Sequence, residues 1–299
     1  MIHIITHPKC LEHNMGPGHP ESPERLETIM AMLETPEWEA MVEWHEAPLA
    51  RIGQLERVHT PVYIELVRSS SEAGGRQLDP DTATNGASWE AALRAAGAAV
   101  QAGELALDQR ENTFALVRPP GHHALAGRAM GFCLFSNVVI AVREILERPD
   151  TQQILIVDWD VHHGNGTQAL VEEEPRIRFV SLHQWPHYPG TGSEDERGVG
   201  NIWNVPRPPG LSPDRYRDDL LDAIGEATAG WRPDLVFISA GFDSMAGDPL
   251  AGFTLREEDY IAITEHLRSL GAPLVGVLEG GYNLENLRVG TAAFLKAIS

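Results

Sequence analysis

The clearest pattern along the chain is a series of short apolar runs, each of which changes abruptly into polar residues and glycine. The longest run begins with Ile154-Leu155-Ile156-Val157 and continues into Asp158-Trp159-Asp160-Val161-His162-His163-Gly164. Four consecutive apolar and mostly β-branched residues are typical of a strand buried on both faces, as in a parallel sheet. The same pattern predicts strands at Ile2–Thr6, Thr113–Val117, Ile177–His183, Asn201–Val205, Asp234–Ala240 and Pro273–Leu278.

Between these runs the apolar residues recur at helical spacing. The predicted helices are Arg25–Leu33, Val58–Ser69, Ala87–Leu107, Ser136–Arg148, Gly166–Glu174, Ser212–Gly230, Thr254–Leu270 and Leu284–Ile298. Ser212-Pro213 is a typical helix start, and Thr254 followed by Glu257 has the pattern of a capping box. Strands that alternate with helices predict an α/β fold with a single open parallel sheet and helices on both faces. Because no linker or repeat divides the chain, we expect one domain over residues 1–299.

Three segments lack either periodicity and are predicted to be loops. Pro8–Pro23 is dense in glycine, proline and histidine, and its length indicates a functional loop. Asp79–Gly86 is rich in turn residues, and Gln184–Gly200 is a long loop that contains Tyr188-Pro189-Gly190.

Composition narrows the classes of partner. The 299 residues carry a formal net charge of −20, which argues against sequence-independent binding of nucleic acid or of an anionic membrane and weakly favours cationic substrates. Two cysteines imply no disulfide framework and suggest a reducing cytoplasm. The first residues do not have the pattern of a signal peptide, and no apolar stretch approaches the length of a membrane span.

Polar side chains gather just past the carboxyl ends of the predicted strands. They are His122, His123, Asp158, Asp160, His162, Ser181, Asp243 and Tyr282. Parallel strands place their carboxyl ends at one edge of a sheet, where open α/β sheets bind ligands. We therefore expect these residues to form one site.

Asp160 and His162 lie two residues apart, so their side chains point to the same side of an extended chain. Together with Asp243 they supply three oxygen and nitrogen ligands, the pattern of a catalytic zinc site with one open position. The alternative is a salt-bridged strand end with a surface histidine pair, but burying so many charges without a metal is costly.

The neighbouring residues predict metal-assisted hydrolysis of an amide. A metal held by three ligands lowers the pKa of a water and polarises a carbonyl. The adjacent His122 and His123 have the right pKa range for general base and general acid. Tyr282, on the Gly280-Gly281 turn, offers a hydroxyl to a developing oxyanion. Taken singly, each residue also has an ordinary structural explanation, and only the joint placement at strand ends favours catalysis.

At these residues the sequence resembles the zinc-dependent histone deacetylase superfamily, which includes acetylpolyamine amidohydrolases and acetoin-utilisation proteins. The match runs in order along nearly the whole chain. The segments His163-Gly164-Asn165-Gly166 and Leu278-Glu279-Gly280-Gly281-Tyr282 resemble class II and bacterial members most. The other matching motifs are Arg118-Pro119-Pro120-Gly121-His122-His123-Ala124, Gly131-Phe132-Cys133, Asp158-Trp159-Asp160-Val161-His162, Ser181-Leu182-His183, Tyr188-Pro189-Gly190-Thr191-Gly192 and Ala240-Gly241-Phe242-Asp243.

The resemblance implies a role for each catalytic position. Asp160, His162 and Asp243 would bind one zinc ion. His123 would be the main general base, with His122 as electrostatic partner or acid. Asp158 would orient His122, whereas Asn165 stands where class I members carry an aspartate behind the second histidine. Tyr282 would polarise the acetyl carbonyl.

The resemblance also implies substrate and potassium contacts. Gly131, Phe132 and Tyr188 would form a narrow channel for an acyl-lysine stem. Asp81 would hold the substrate backbone, and Arg25, in the first-loop motif His19–Arg25, would line an acetate exit. The family's structural potassium ion would be bound by Asp158, Asp160, His162, Ser181 and Leu182.

Substrate class is predicted from one position. Acetylpolyamine-selective relatives carry an acidic residue where this chain has Leu250, so we expect acyl-lysine in proteins or peptides, with acetylated small amines as the alternative. A metal-binding sensor without catalysis needs no base or oxyanion donor, and a manganese ureohydrolase needs more aspartate and histidine ligands than the chain offers. Assembly into a homo-oligomer is left open.

Overall fold

The computed structural model describes residues 1–299 and contains ten strands and eleven helices. The strands are β1 (Ile2–Thr6), β2 (Val42–Glu46), β3 (Gln77–Asp79), β4 (Thr82–Ala83), β5 (Thr113–Ala115), β6 (Ile154–Asp158), β7 (Ile177–Gln184), β8 (Ile202–Arg207), β9 (Leu235–Ala240) and β10 (Leu274–Leu278). The helices are α1 (Lys9–Glu12), α2 (Pro23–Leu33), α3 (Pro36–Glu39), α4 (Ile52–Glu56), α5 (Pro61–Glu72), α6 (Ser88–Gln109), α7 (Asn137–Ile145), α8 (Asn165–Val171), α9 (Pro213–Thr228), α10 (Glu257–Ser269) and α11 (Leu284–Ile298).

Eight of the strands form one sheet in the order β2-β1-β5-β10-β9-β6-β7-β8, and every neighbouring pair is parallel. The central strands β5, β6, β9 and β10 are buried along their whole length. This burial explains why their sequences are continuous apolar runs and do not alternate with polar residues. The α/β fold with one open parallel sheet, predicted from the sequence, is confirmed.

Helices cover both faces of this sheet, as two neighbouring positions of β10 demonstrate. Gly276 pairs with Phe114 of β5, and Phe114 packs edge-to-face on Phe294 of α11. Val275 points to the opposite face and pairs with Phe237. On that face the Phe237 ring packs closely against Gly103 of α6, so that a Cβ at Gly103 would lie 2.9 Å from it. The Thr113 hydroxyl also donates a hydrogen bond to a carbonyl of α6, so α6 covers this face.

Several predicted boundaries differ from the structure for local physical reasons. Helix α5 begins at Pro61 and not at Val58, because the Thr60 side chain caps it by accepting from the Tyr63 amide. Helix α10 begins at Glu257, and Asp259 accepts a hydrogen bond from the backbone of Arg256. The capping box predicted at Thr254 is therefore wrong.

Two strand regions escaped the prediction. Strand β2 is an edge strand in which only Val42 is buried, so it has no apolar run. The turn-rich segment around Asp79 forms the short antiparallel pair β3–β4 and is not a loop throughout. No helix in the chain combines the length and the apolar character needed to cross a bilayer.

Candidate active site

The carboxyl ends of five neighbouring strands meet at one edge of the sheet and supply the candidate site. Strand β6 leads into Asp160, β9 into Asp243 and β10 into Gly280, and these three strands bring their ends close together because β9 lies between the other two. The chain beyond β5 carries His122 and His123, while β7 itself contains Ser181 in register with Asp158. All of the polar residues predicted to converge do so, and all are buried except where a cavity reaches them.

Asp160, His162 and Asp243 form the candidate metal centre. One ligand atom from each lies within 4.8 Å of the others, and all three residues are buried. His162 Nδ1 lies 3.0 Å from Asp160 Oδ1 and 3.3 Å from Asp243 Oδ2. This is the set of two carboxylates and one imidazole that the sequence predicted.

Two observations show that a divalent cation suits these residues. Asp243 Oδ2 is fully buried and has no hydrogen-bond partner in the protein, whereas its Oδ1 accepts from the Val161 amide. Burial and the neighbouring charge of Asp160 raise the pKa of Asp243 to about 7. An uncompensated buried oxygen beside a like charge is costly, and a bound cation removes that cost.

Gly280 lets the backbone approach this centre. The Gly280 amide donates to Asp160 Oδ2 at 2.8 Å. A Cβ at this position would lie 2.2 Å from Asp243 Oδ2 and 2.5 Å from Asp160 Oδ2. Any other residue at position 280 would therefore displace both carboxylates. The Gly280-Gly281 turn thus leaves room for the metal centre in addition to positioning Tyr282.

The histidine pair lies beside the centre, and its two rings have different partners. The ring centroids of His122 and His123 are 4.0 Å apart. His122 Nδ1 lies 3.0 Å from Asp158 Oδ2, whereas His123 Nδ1 lies 2.8 Å from Asn165 Oδ1. Of the two, only His123 lines the cavity that opens to the surface.

These partners move the two pKa values in opposite directions. Burial by itself disfavours the charged form of His122, but the carboxylates of Asp160 and Asp158 outweigh it and raise the pKa of His122 well above its ordinary value. Burial lowers the pKa of His123 well below its ordinary value, and the neighbouring His122 and His162 add to the effect. His122 is therefore suited to carry a charge and His123 to accept a proton.

Tyr282 lines the same cavity as His123, and the Arg25 guanidinium packs against its ring. The Tyr282 amide donates to Asp248 Oδ2 at 2.8 Å, and the Arg25 guanidinium lies 5.1 Å from the Tyr282 ring centroid. Arg25 is fully buried and donates to the carbonyls of Glu279 and Gly281 and to Glu21. Arg25 thus lies behind Tyr282 and does not line the surface cavity.

A cavity of about 210 Å³ leads from the surface to the metal centre and His123. Phe132 and Tyr282 line it with their rings 5.8 Å apart, and the Tyr188 ring packs edge-on against His123. Asp81, Gly131, Phe132, Tyr188 and Leu250, for which substrate contacts were expected, all contribute to the lining. Asp81 Oδ1 accepts from the Gly131 amide, which holds this part of the wall together.

His187 is a lining residue that the sequence analysis missed. Its ring stacks on His162 with centroids 5.0 Å apart, and its Nε2 lies 2.9 Å from the Leu250 carbonyl oxygen. A single histidine in a long loop is not part of any ligand-spacing motif or periodic pattern, so the sequence does not predict this contact.

The residues predicted for potassium lie at and just beyond the carboxyl end of β6 and in the neighbouring part of β7. Asp158, Asp160, Ser181 and Leu182 are fully buried and His162 nearly so. Asp158 Oδ1 accepts from the Asp160 amide, and the Ser181 hydroxyl lies 3.0 Å from His183 Nδ1.

Comparison with known proteins agrees with this geometry. Residues 19–298 match the family profile described as Histone deacetylase domain. An uncharacterised protein of Synechocystis sp. is 40% identical over all of this chain and 99% of its own length, and a histone deacetylase-like amidohydrolase of Pseudomonas aeruginosa is 37% identical over 92% of this chain and 80% of its own. The crystal structure of the HDA15 HD domain superposes with a TM-score of 0.94 at 35% identity, covering 99% of this chain and 87% of that one. The chain therefore belongs to the histone deacetylase family, and it is a hydrolase of the deacetylase and amidohydrolase type.

Proposed function

We propose that residues 1–299 form a single catalytic domain that removes acetyl or other short acyl groups from acyl-lysine in proteins or peptides, with one zinc ion at Asp160, His162 and Asp243. The observation that carries the proposal is the buried and unpartnered Asp243 Oδ2, which lies 3.3 Å from His162 Nδ1 at the inner end of a narrow cavity. A zinc ion bound there would supply an activated water and polarise the amide carbonyl.

His123 is the general base in this proposal. Its Nδ1–H donates to Asn165 Oδ1, which leaves Nε2 as a proton acceptor, and its lowered pKa keeps the ring neutral near pH 7. His123 takes a proton from the attacking water as the new C–O bond forms. It then delivers a proton to the amine nitrogen when the C–N bond breaks, so that the products are a carboxylate and the free amine.

His122 and Tyr282 stabilise charge in this scheme. The raised pKa of His122 keeps its ring cationic, and Asp158 holds that ring at 3.0 Å. Burial raises the pKa of Tyr282 well above its ordinary value, so its hydroxyl remains a proton donor throughout the working pH range. A donor aimed at the developing oxyanion lowers the barrier because it interacts more strongly with the transition state than with the substrate.

The cavity wall favours a long aliphatic stem. Phe132 and Tyr188 provide aromatic surfaces in the lining, and Leu250 adds an apolar side chain. No lysine or arginine lines the cavity, and Asp81 is the one carboxylate in its lining. We propose that Asp81 binds the backbone of an acyl-lysine peptide, because the Gly131 amide donates to its Oδ1 and holds the carboxylate in the cavity lining.

We also propose a structural potassium ion held by Asp158, Asp160, His162, Ser181 and Leu182, partly through backbone carbonyls. This is the family's arrangement, and the burial of all five residues in adjacent strand ends supports it. Backbone carbonyl oxygens are ligands that suit a potassium ion.

The direct test incubates zinc-loaded protein with a panel of acetyl- and longer acyl-lysine peptides and with acetylspermidine, and measures released carboxylate and amine. We expect equal amounts of both products from the acetyl-lysine peptide and inhibition by a hydroxamate. Much faster turnover of acetylspermidine would reverse the substrate assignment. No turnover of any substrate by protein with bound zinc would favour a metal-binding module without catalysis.

A further inference from the structure

A second cluster of side chains of the types that bind metals lies on β1 and on the edge strand β2. His3 of β1 pairs in register with Glu43 of the edge strand β2. His45 follows Glu43 by two residues, so its side chain lies on the same face. The active site lies past the carboxyl ends of the central strands, so the two groups of residues are separate.

The ring nitrogens and the carboxylate of this cluster lie close together. His3 Nδ1 lies 2.8 Å from His45 Nε2. The Glu43 carboxylate oxygens lie 3.6 Å from His3 Nδ1 and 3.7 Å from His45 Nε2. One atom from each of the three residues lies within 4.8 Å of the others, as in the active-site trio.

Glu111 provides an independent observation. Glu111 precedes β5, and β5 lies next to β1 on the side opposite β2. The Glu111 Oε2 atom lies 2.6 Å from His3 Nε2. A histidine that binds a metal through one ring nitrogen usually donates its other N–H to a carboxylate, which fixes the ring and increases its basicity. His3 is only 2% exposed and is therefore held in this orientation by its surroundings.

We propose that His3 Nδ1, His45 Nε2 and a Glu43 carboxylate oxygen bind a second divalent cation of the zinc type, with Glu111 orienting His3. The fourth position remains open to water, since Glu43 is half exposed. Two imidazoles and one carboxylate are a common zinc ligand set.

The competing explanation is a plain hydrogen bond between the two rings. In that arrangement one ring donates its N–H to the other, and no metal is needed. It leaves Glu43 without a role, because both of its contacts to the rings are longer than a hydrogen bond. A cation takes the place of the shared proton and uses the carboxylate as well.

The consequence of this site is structural. Strand β2 is the sheet edge, and only Val42 of its residues is buried. A cation that binds His3 of β1 together with Glu43 and His45 of β2 ties this exposed strand to its neighbour. We therefore expect zinc bound at His3, Glu43 and His45, the remote site, to raise the melting temperature without changing the deacetylase activity of protein whose active site is already loaded with zinc.

Equilibrium dialysis against zinc, with metal content measured by elemental analysis, tests the proposal. We expect two equivalents for the parent, one for His45→Gln and one for Asp243→Asn. The variant His266→Gln, which removes a histidine of α10 outside both sites, is the matched control and should retain two. Two equivalents in His45→Gln, or one in the parent together with none in Asp243→Asn, would overturn the proposal.

A second measurement guards against misfolded variants. Zinc should raise the melting temperature of Asp243→Asn, which keeps only the remote site, and should not raise that of the double variant Asp243→Asn/His45→Gln. The milder change Glu111→Gln should weaken zinc binding at the remote site by about 10- to 100-fold. Equal affinity in Glu111→Gln and in the parent would contradict the assigned role of Glu111.

Discussion

At the scale of single residues, the two adjacent histidines differ in the partner that each ring contacts. His122 contacts the carboxylate of Asp158, and His123 contacts the neutral amide of Asn165. The sequence alone reveals two imidazoles side by side and an asparagine where related enzymes carry an aspartate. It does not reveal which ring faces the cavity, because that depends on the turn that follows β5.

Tyr282→Phe tests the oxyanion donor. The change removes one hydroxyl and leaves the ring contacts with Phe132 and Arg25 in place. We expect kcat for an acetyl-lysine peptide to fall by about 10²- to 10³-fold with little change in KM. The matched control is Tyr260→Phe, which removes a buried hydroxyl that has no hydrogen-bond partner and lies outside the cavity. Parent-like kcat in Tyr282→Phe would remove the catalytic role of this residue.

Leu250→Glu tests substrate selection at the cavity mouth. A carboxylate there would pair with the distal ammonium of an acetylated polyamine, so the ratio of kcat/KM for acetylspermidine to that for the peptide should rise about tenfold, equivalent to roughly 1.4 kcal/mol. Leu250→Gln has the same size without the charge and should leave the ratio near the parent value. An equal rise in both variants would show that charge at this position does not select the substrate.

At the scale of helices and strands, local capping and burial decide where prediction succeeds. The long apolar runs of β6, β9 and β10 are recognisable because both faces of these strands are buried. Strand β2 is not recognisable because its stability comes from pairing with β1 and not from its own side chains. The buried ion pair between Glu21 and Arg118 also escapes prediction, because the two residues are 97 positions apart in sequence.

Gly97 of α6 provides a test of close packing between elements. A Cβ at Gly97 would lie 2.0 Å from the Pro48 carbonyl oxygen, which belongs to the segment before α4. Gly97→Ala gains up to about 1 kcal/mol of helix propensity, but overpacking against backbone should cost more, so we expect a net loss of roughly 2 kcal/mol.

The matched control for Gly97→Ala is Gly225→Ala in α9. No atom lies within 4 Å of a Cβ at Gly225, so this change should stabilise the protein by about 0.5–1 kcal/mol. Denaturant unfolding of both variants measures the two effects. A stabilised Gly97→Ala would show that the contact with the Pro48 carbonyl does not constrain α6.

His59 provides a test of pH dependence at a junction between elements. Its Nε2 accepts a hydrogen bond from the Ser136 amide, and its Nδ1 lies 3.0 Å from the Leu125 carbonyl oxygen. These two contacts connect the turn before α5 to the segment before α7. Burial lowers the pKa of His59 from 6.5 to about 4. Between these values the unfolded chain binds a proton that the folded chain does not, so stability decreases as pH falls from 6.5 to 4.

The loss attributable to His59 over this range is about 3 kcal/mol. Other buried histidines also titrate, so the measurement is the difference in unfolding free energy between the parent and His59→Gln at several pH values. The variant should lose less stability than the parent on acidification. Parallel pH profiles for the two proteins would contradict the assigned burial cost.

At the scale of the whole molecule, the function depends on the order of strands in the sheet. Residues 160 and 243 are far apart in sequence, and they meet because β6 and β9 are neighbours. The pattern of apolar runs predicts that the strand ends share one edge, but it does not predict which ends are adjacent. The distances among Asp160, His162 and Asp243 therefore come from the fold, whereas their chemical suitability for zinc is visible in the sequence.

The central claim is that one divalent cation held by Asp160, His162 and Asp243 is required for amide hydrolysis. The most direct measurement is the deacetylation rate of an acetyl-lysine peptide after removal of metal with a chelator and stepwise return of zinc. We predict loss of activity on removal, recovery as zinc is restored to the parent, and no recovery in Asp243→Asn at the same zinc concentrations. Full activity in metal-free protein, or parent-like recovery in Asp243→Asn, would contradict the account.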